Sequence, residues 1–188
     1  MIKTIYRAIS YVLFSAVIMS VFVLADAYLN KGPNLKNIPL KLSWLAEEVG
    51  IREIIIPPPE TVRLITQDEI EREYVKSFGI SDPAQMSKVL DTIKFDRIYF
   101  NAPICGLYLG NKKMRTAYLS MQCGRDDEAL VHELTHHVFY VIFGATNKIN
   151  NEESLAREIS RNYFIQKRWS LKFLNKAGLL GLITGRYS

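Results

Sequence analysis

His132-Glu133-Leu134-Thr135-His136-His137 is the stretch from which the rest of the chain is read. The 188-residue chain contains three histidines, all within these six residues, so any histidine-based metal chemistry is confined to this segment. Residues four apart in an α-helix stack on one face, which lets His132 and His136 offer imidazole nitrogens to one cation. Glu133, one step round the helix, reaches the same centre without being a ligand. In such an H-E-x-x-H arrangement a zinc ion acidifies a bound water to a pKa of roughly 7 and the glutamate takes its proton.

The flanking residues fit a helix. Ala129, Leu130 and Val131 precede the motif, Val138 comes after it, and the segment Asp127 to Phe143 is expected to form one long, mostly buried helix, with Asp126 or Asp127 as N-cap and Gly144 as its stop. The plainer alternative is a set of surface or hydrogen-bonded core histidines. Charges in the middle of a buried helix need a partner, however, and a divalent cation supplies one.

The length suits one domain with a proper core, and there is no internal repeat. The net charge of +5 comes from interspersed residues, with no basic run and no aromatic-basic interleaving, so a nucleic-acid partner is not expected. Lys3 and Arg7 lead into an apolar, uncharged run from Ala8 to Ala25. Residues 1–27 are therefore expected to be a signal peptide or an N-terminal membrane anchor, and either exports the remainder of the chain to the periplasm or beyond. As an anchor, this segment would associate the chain with a membrane. Residues 28–39, with Gly32, Pro33 and several asparagines, form the expected linker, leaving 40–188 as the folded domain.

Within that domain a short helix is expected through Leu42, Leu45, Ala46 and Val49, then a stiff break at Pro57-Pro58-Pro59 and a strand from Thr61 to Thr66. Gln67 to Phe78 reads as a helix capped by Thr66, with Glu69 completing a capping box, and Asp82-Pro83 opens another through about Ile93. Arg97 to Asn101, Cys105 to Leu109 and Thr116 to Gln122 read as strands, the last two joined by a hairpin turn at Gly110 to Lys113. Pairing Leu109 with Leu119 and Leu107 with Met121 sets Cys105 opposite Cys123, a reasonable disulfide in an exported chain. The strand Thr116 to Gln122, if it is an edge, offers free backbone groups to an extended peptide. The expected class is α+β, with a small, mainly antiparallel sheet packed on an active-site helix and a following ligand-bearing helix. The apolar and basic tail from Arg168 to Ser188 either closes over the core or lies on a membrane surface.

A catalytic zinc has three protein ligands and an open position, so with no histidine left the third must be a carboxylate or a cysteine. The pattern H-E-x-x-H-x-x-G-x-x-H is excluded, because Phe139 and Ile142 stand where it needs glycine and histidine. After a polar loop, Glu152 to about Arg168 reads as a second helix antiparallel to the first, and Glu152 and Glu153 both stand in its first turn. Helical geometry puts Glu152 nearer the centre of the apolar face, and both remain candidates on spacing.

His132-Glu133-x-x-His136 followed by Glu153-Ser154-Leu155-Ala156 resembles the gluzincin zinc metallopeptidases, the thermolysin-like group, and among them the small single-domain minigluzincins. The resemblance covers roughly residues 95 to 165 and is specific in the two motifs. It implies an E-x-x-A-D string, which selects Glu153 as third ligand of one zinc ion beside His132 and His136. It also implies Glu133 as the catalytic base and a peptide or protein as substrate. Arg157 stands where that string has aspartate. The family further implies a donor that steadies the tetrahedral intermediate, for which His137 and Tyr163 are the candidates. The expected function is that of an exported zinc peptidase. Two alternatives stand beside it: a non-catalytic exported module with a structural zinc site, and a cytosolic metal-dependent regulatory protease whose N-terminal run has another role.

Overall fold

A computed structural model describes residues 2–29, 35–51, 54–110, 114–123, 127–144 and 151–167. The chain divides into two units, 1–31 with 164–188 and 32–163. In the first, Ile2–Leu29 forms a long helix, α1. Its side chains are described at Tyr6 and from 9 to 25, and among the described residues no helix is long and apolar enough to cross a membrane. The expected tail segment lies outside the described residues.

The second unit opens with a single 3-10 turn at Leu35–Asn37 and then α2, Ile38–Glu48, with Pro39 in its first turn, where no N–H is needed. Leu35 and Ile38, from the stretch expected to be linker, pack against the core. There follow β1 (Thr61–Ile65), α3 (Gln67–Ser77), α4 (Pro83–Phe100), β2 (Gly106–Gly110), β3 (Arg115–Ser120), α5 (Asp127–Phe143) and α6 (Glu152–Lys167). The class is α+β, as expected. The capping box of α3 is formed by Thr66 and Glu69, and α5 stops at Gly144 with φ of 78°. Asp126 lies outside the described residues, while Asp127 is already helical.

Three expectations are corrected. Arg97 to Asn101 is not a strand but the last turn of α4, which ends at Asn101 in a left-handed conformation with φ of 50°. The β-branched and aromatic run there favours a strand locally, yet no glycine or proline interrupts the helix. Arg97 also reaches back to Glu71 on α3 at 3.1 Å, which fixes that turn. Second, the sheet is mixed, in the order β1-β3-β2: β3 pairs antiparallel with β2 and parallel with β1. The strand expected as an edge is thus central, and β2 is an edge. Third, Leu109 faces Thr116 and Leu107 faces Tyr118, so the register is not the one that puts the cysteines opposite one another.

The disulfide Cys105–Cys123 nevertheless forms, with Cα atoms 5.1 Å apart. β3 ends at Ser120, and a turn in which the Cys123 N–H donates to the Ser120 carbonyl at 3.2 Å folds the chain back onto Cys105. The closed loop has a sequence separation of 18. Reduction is expected to lower unfolding stability by about 3 kcal/mol through the freed chain entropy. Urea midpoints with and without reductant check this, and unchanged midpoints would contradict it.

The core is gathered around α5. Leu130, Val131, Leu134, Val138 and Phe139 meet Leu42, Leu45 and Ala46 of α2, Leu119 of β3, and Ile159 and Tyr163 of α6. Lys41, 2% exposed, ties α2 to the start of α5 through Asp127 at 3.1 Å. The buried face of α5 thereby fixes which way its histidines point.

Candidate metal centre

His132 and His136, one turn apart on α5, turn their Nε2 atoms toward each other at 3.2 Å. Glu153, in the first turn of α6, places Oε1 3.5 Å from His132 Nε2 and Oε2 3.3 Å from His136 Nε2. The two Glu153 distances run to different oxygens; taking one donor atom from each residue, the three form a triangle whose atoms lie within 4.8 Å of one another, close enough to surround a single cation. Its donor set of two imidazoles and one carboxylate also suits zinc. Among the described residues these three form the group able to hold a metal.

The second candidate, Glu152, is placed elsewhere. Its Oε1 lies 2.5 Å from His136 Nδ1, the ring nitrogen on the far side from Nε2. With Nδ1–H donating to that carboxylate, the Nε2 lone pair is left facing the triangle. Burial, reinforced by His136, holds His132 below the usual histidine range, which favours the neutral form that binds metal. Burial also works to raise Glu153, but the charges of His132, His136 and Arg157 prevail and hold its carboxyl below the ordinary range. Arg157 donates from Nε to Glu153 Oε1 at 3.0 Å. The residue standing in place of the expected aspartate therefore grips Glu153 instead of a histidine.

Glu133 is 4% exposed and lies against β2. A methyl group on Gly106 would come within 2.6 Å of its Cδ and 2.7 Å of its Cγ, so the carboxylate occupies space that only glycine leaves. Burial, with a smaller contribution from the Glu153 charge, pushes the Glu133 carboxyl well above the usual range. A cation at the triangle would offset both influences. Here the donor set and the buried acid beside it are chemically consistent with a bound zinc ion.

The two proposed donors for the intermediate face other ways. His137 is fully buried; its Nε2 lies 2.7 Å from the Pro57 carbonyl and its Nδ1 2.9 Å from the Tyr108 hydroxyl. Burial lowers its pKa, so the neutral ring donates from Nε2 to the carbonyl and accepts the tyrosine proton at Nδ1. Tyr163 stacks edge-on against Trp44 at 4.9 Å, and burial, with the Asp127 charge, raises its hydroxyl to about 12. Both are packing residues. Two clefts, of about 500 Å³ beside Pro39, Ile54 and Pro57 and about 340 Å³ beside Val49, Phe143 and Leu155, are lined by none of the site residues.

Sequence reasoning missed Gly106 and the hydrogen bond from His136 to Glu152. The first had a signal in a glycine directly after a cysteine; the second had one in two adjacent glutamates in the first turn of α6. No protein-family model matches the chain, and comparison with curated proteins and with solved structures gives no significant match.

Proposed function

We propose that the chain is a zinc-dependent peptide-bond hydrolase acting outside the cytoplasm. The observation that carries the reading is the triangle of His132, His136 and Glu153 with Glu133 buried beside it. When bound, zinc would acidify a water and polarise the scissile carbonyl. Glu133 would accept the proton of that water and return it to the leaving amine. Gly106 lets Glu133 stand that close to the strand without a clash.

An extended peptide would add to the sheet along β2. Cys105 bonds to Ser120 across the β2–β3 ladder, so Leu107 and Leu109 also face β3. By the alternation of an antiparallel pair, the backbone groups of Gly106, Tyr108 and Gly110 point to the open side. The same strand thus carries both the glycine under Glu133 and the row of donors and acceptors that would hold substrate.

The likeness of the two motifs to the gluzincins supports this reading, as does the cluster, which among the described residues has three members and so leaves zinc a fourth position for water. A structural zinc site would need a fourth protein ligand. The disulfide supports an exported location, with the N-terminal segment as signal peptide or anchor. The test is metal analysis of the purified chain. One zinc per chain is expected, removed by chelator together with hydrolysis of an unfolded protein substrate, and lost in His136→Ala. A chain that takes up no zinc would overturn the proposal.

A further inference from the structure

The groups around the ligand triangle carry a pattern of charge that sequence motifs do not show. We infer that Glu152 and Arg157 set the zinc affinity of this centre in opposite directions: Glu152 is the positioning residue that holds His136, and Arg157 competes with the metal for Glu153. Both roles rest on the proposal that the triangle binds zinc.

Glu152 is 12% exposed, and its Oε1 makes the 2.5 Å contact with His136 Nδ1. A carboxylate on the outer nitrogen fixes the tautomer, fixes the ring plane, and raises the electron density offered by the inner nitrogen. Each effect favours metal binding. Because Glu152 and Glu153 are neighbours on one helical turn, the same rotation of α6 that points Glu153 at the ion's expected position brings Glu152 behind His136. Two adjacent glutamates therefore serve as ligand and support together.

Arg157 does the reverse. It stands one turn along α6 from Glu153, its Nε donates to Glu153 Oε1 at 3.0 Å, and its side chain is 74% exposed. That oxygen is the one nearest His132, at 3.5 Å. A lone pair given to Arg157 is not given to a metal, and a fixed positive charge one side chain away repels a dication through partly screened solvent. The expected aspartate at this position would have added negative charge to the centre, and arginine takes it away. The site thus has one supporting carboxylate, on the second histidine, and an opposing cation on the ligand glutamate. The arrangement suits a metal held less tightly than a fully carboxylate-supported site would hold it.

The experiment is a chelator competition that measures the zinc dissociation constant of the full chain and of Glu152→Gln, Arg157→Gln and His132→Ala, with the melting temperature of each in its metal-free form as the control for folding. Glu152→Gln should bind zinc about 10- to 100-fold more weakly, and Arg157→Gln about 3- to 10-fold more tightly, with metal-free melting temperatures within about 2 °C of the parent. A merely structural role for either residue would move melting temperature and would weaken binding in both variants. Unchanged affinity in Glu152→Gln, or weaker binding in Arg157→Gln, while the parent binds zinc and His132→Ala does not, overturns this inference and leaves the zinc reading standing. A parent that binds no zinc overturns both.

Discussion

On the proposed function, Glu133→Gln is expected to bind zinc as the parent does and to lose peptide hydrolysis by roughly two to four orders of magnitude, the usual worth of a positioned proton acceptor. Glutamine has nearly the shape of glutamate, so it still fits against Gly106, where no larger neighbour would leave room. What it lacks is a basic oxygen. Steady-state kinetics with metal content measured on the same sample decide the matter: hydrolysis at the parent rate would remove Glu133 from the mechanism. The same variant has an opposite effect on metal-free stability. Because the folded-state carboxyl is pushed well above its ordinary pKa, the folded form holds that proton more tightly than the unfolded chain does. Its contribution is complete below the unfolded pKa and is lost as pH rises through the folded one. Metal-free parent protein should therefore lose urea resistance as pH rises above the unfolded carboxylate range more steeply than Glu133→Gln, whose amide does not titrate.

His137→Ala should be the most destabilising single change at the motif, costing about 3–5 kcal/mol and lowering the melting temperature by about 10 °C or more. The ring is fully buried and bridges two elements far apart in sequence, the proline segment at Pro57 and the edge strand at Tyr108. Removing it leaves a cavity, an unpaired carbonyl and an unpaired hydroxyl together, and each adds to the cost. His132→Ala, which faces the triangle and not the core, provides the contrast: its metal-free melting temperature should change little. Equal effects for the two would show that His137 is not the bridge described.

What the sequence made legible was local. The box at Thr66 and Glu69, the glycine stop of α5 and the two imidazoles one turn apart on it each depend on residues within one or two turns. The cysteine pair was also readable, since two cysteines allow a single intramolecular bridge. The ladder register was not, because the turn from Ser120 to Cys123 supplies the reach that a straight strand was expected to supply. Nor was the end of α4, where Arg97 answers to Glu71 on another helix and overrides a strand-like composition. The choice between Glu152 and Glu153 depends on how far α6 is rotated about its axis against α5, which is a property of packing. Both glutamates turned out to be engaged, on opposite nitrogens of His136.

The parallel partnership of β1 with β3 also governs the order in which the molecule can be built. Thr61 meets Thr116 only after two whole helices and a strand have intervened, so no hairpin can bring them together. Closing so long a loop is slow, whereas the helices can form from contacts near at hand. During synthesis, the first half of the chain must wait with β1 unpaired until Ser120 has emerged. The place of β2 beside Glu133 waits longer still, because α5 and α6, which carry the proposed metal centre, follow β3 in the chain.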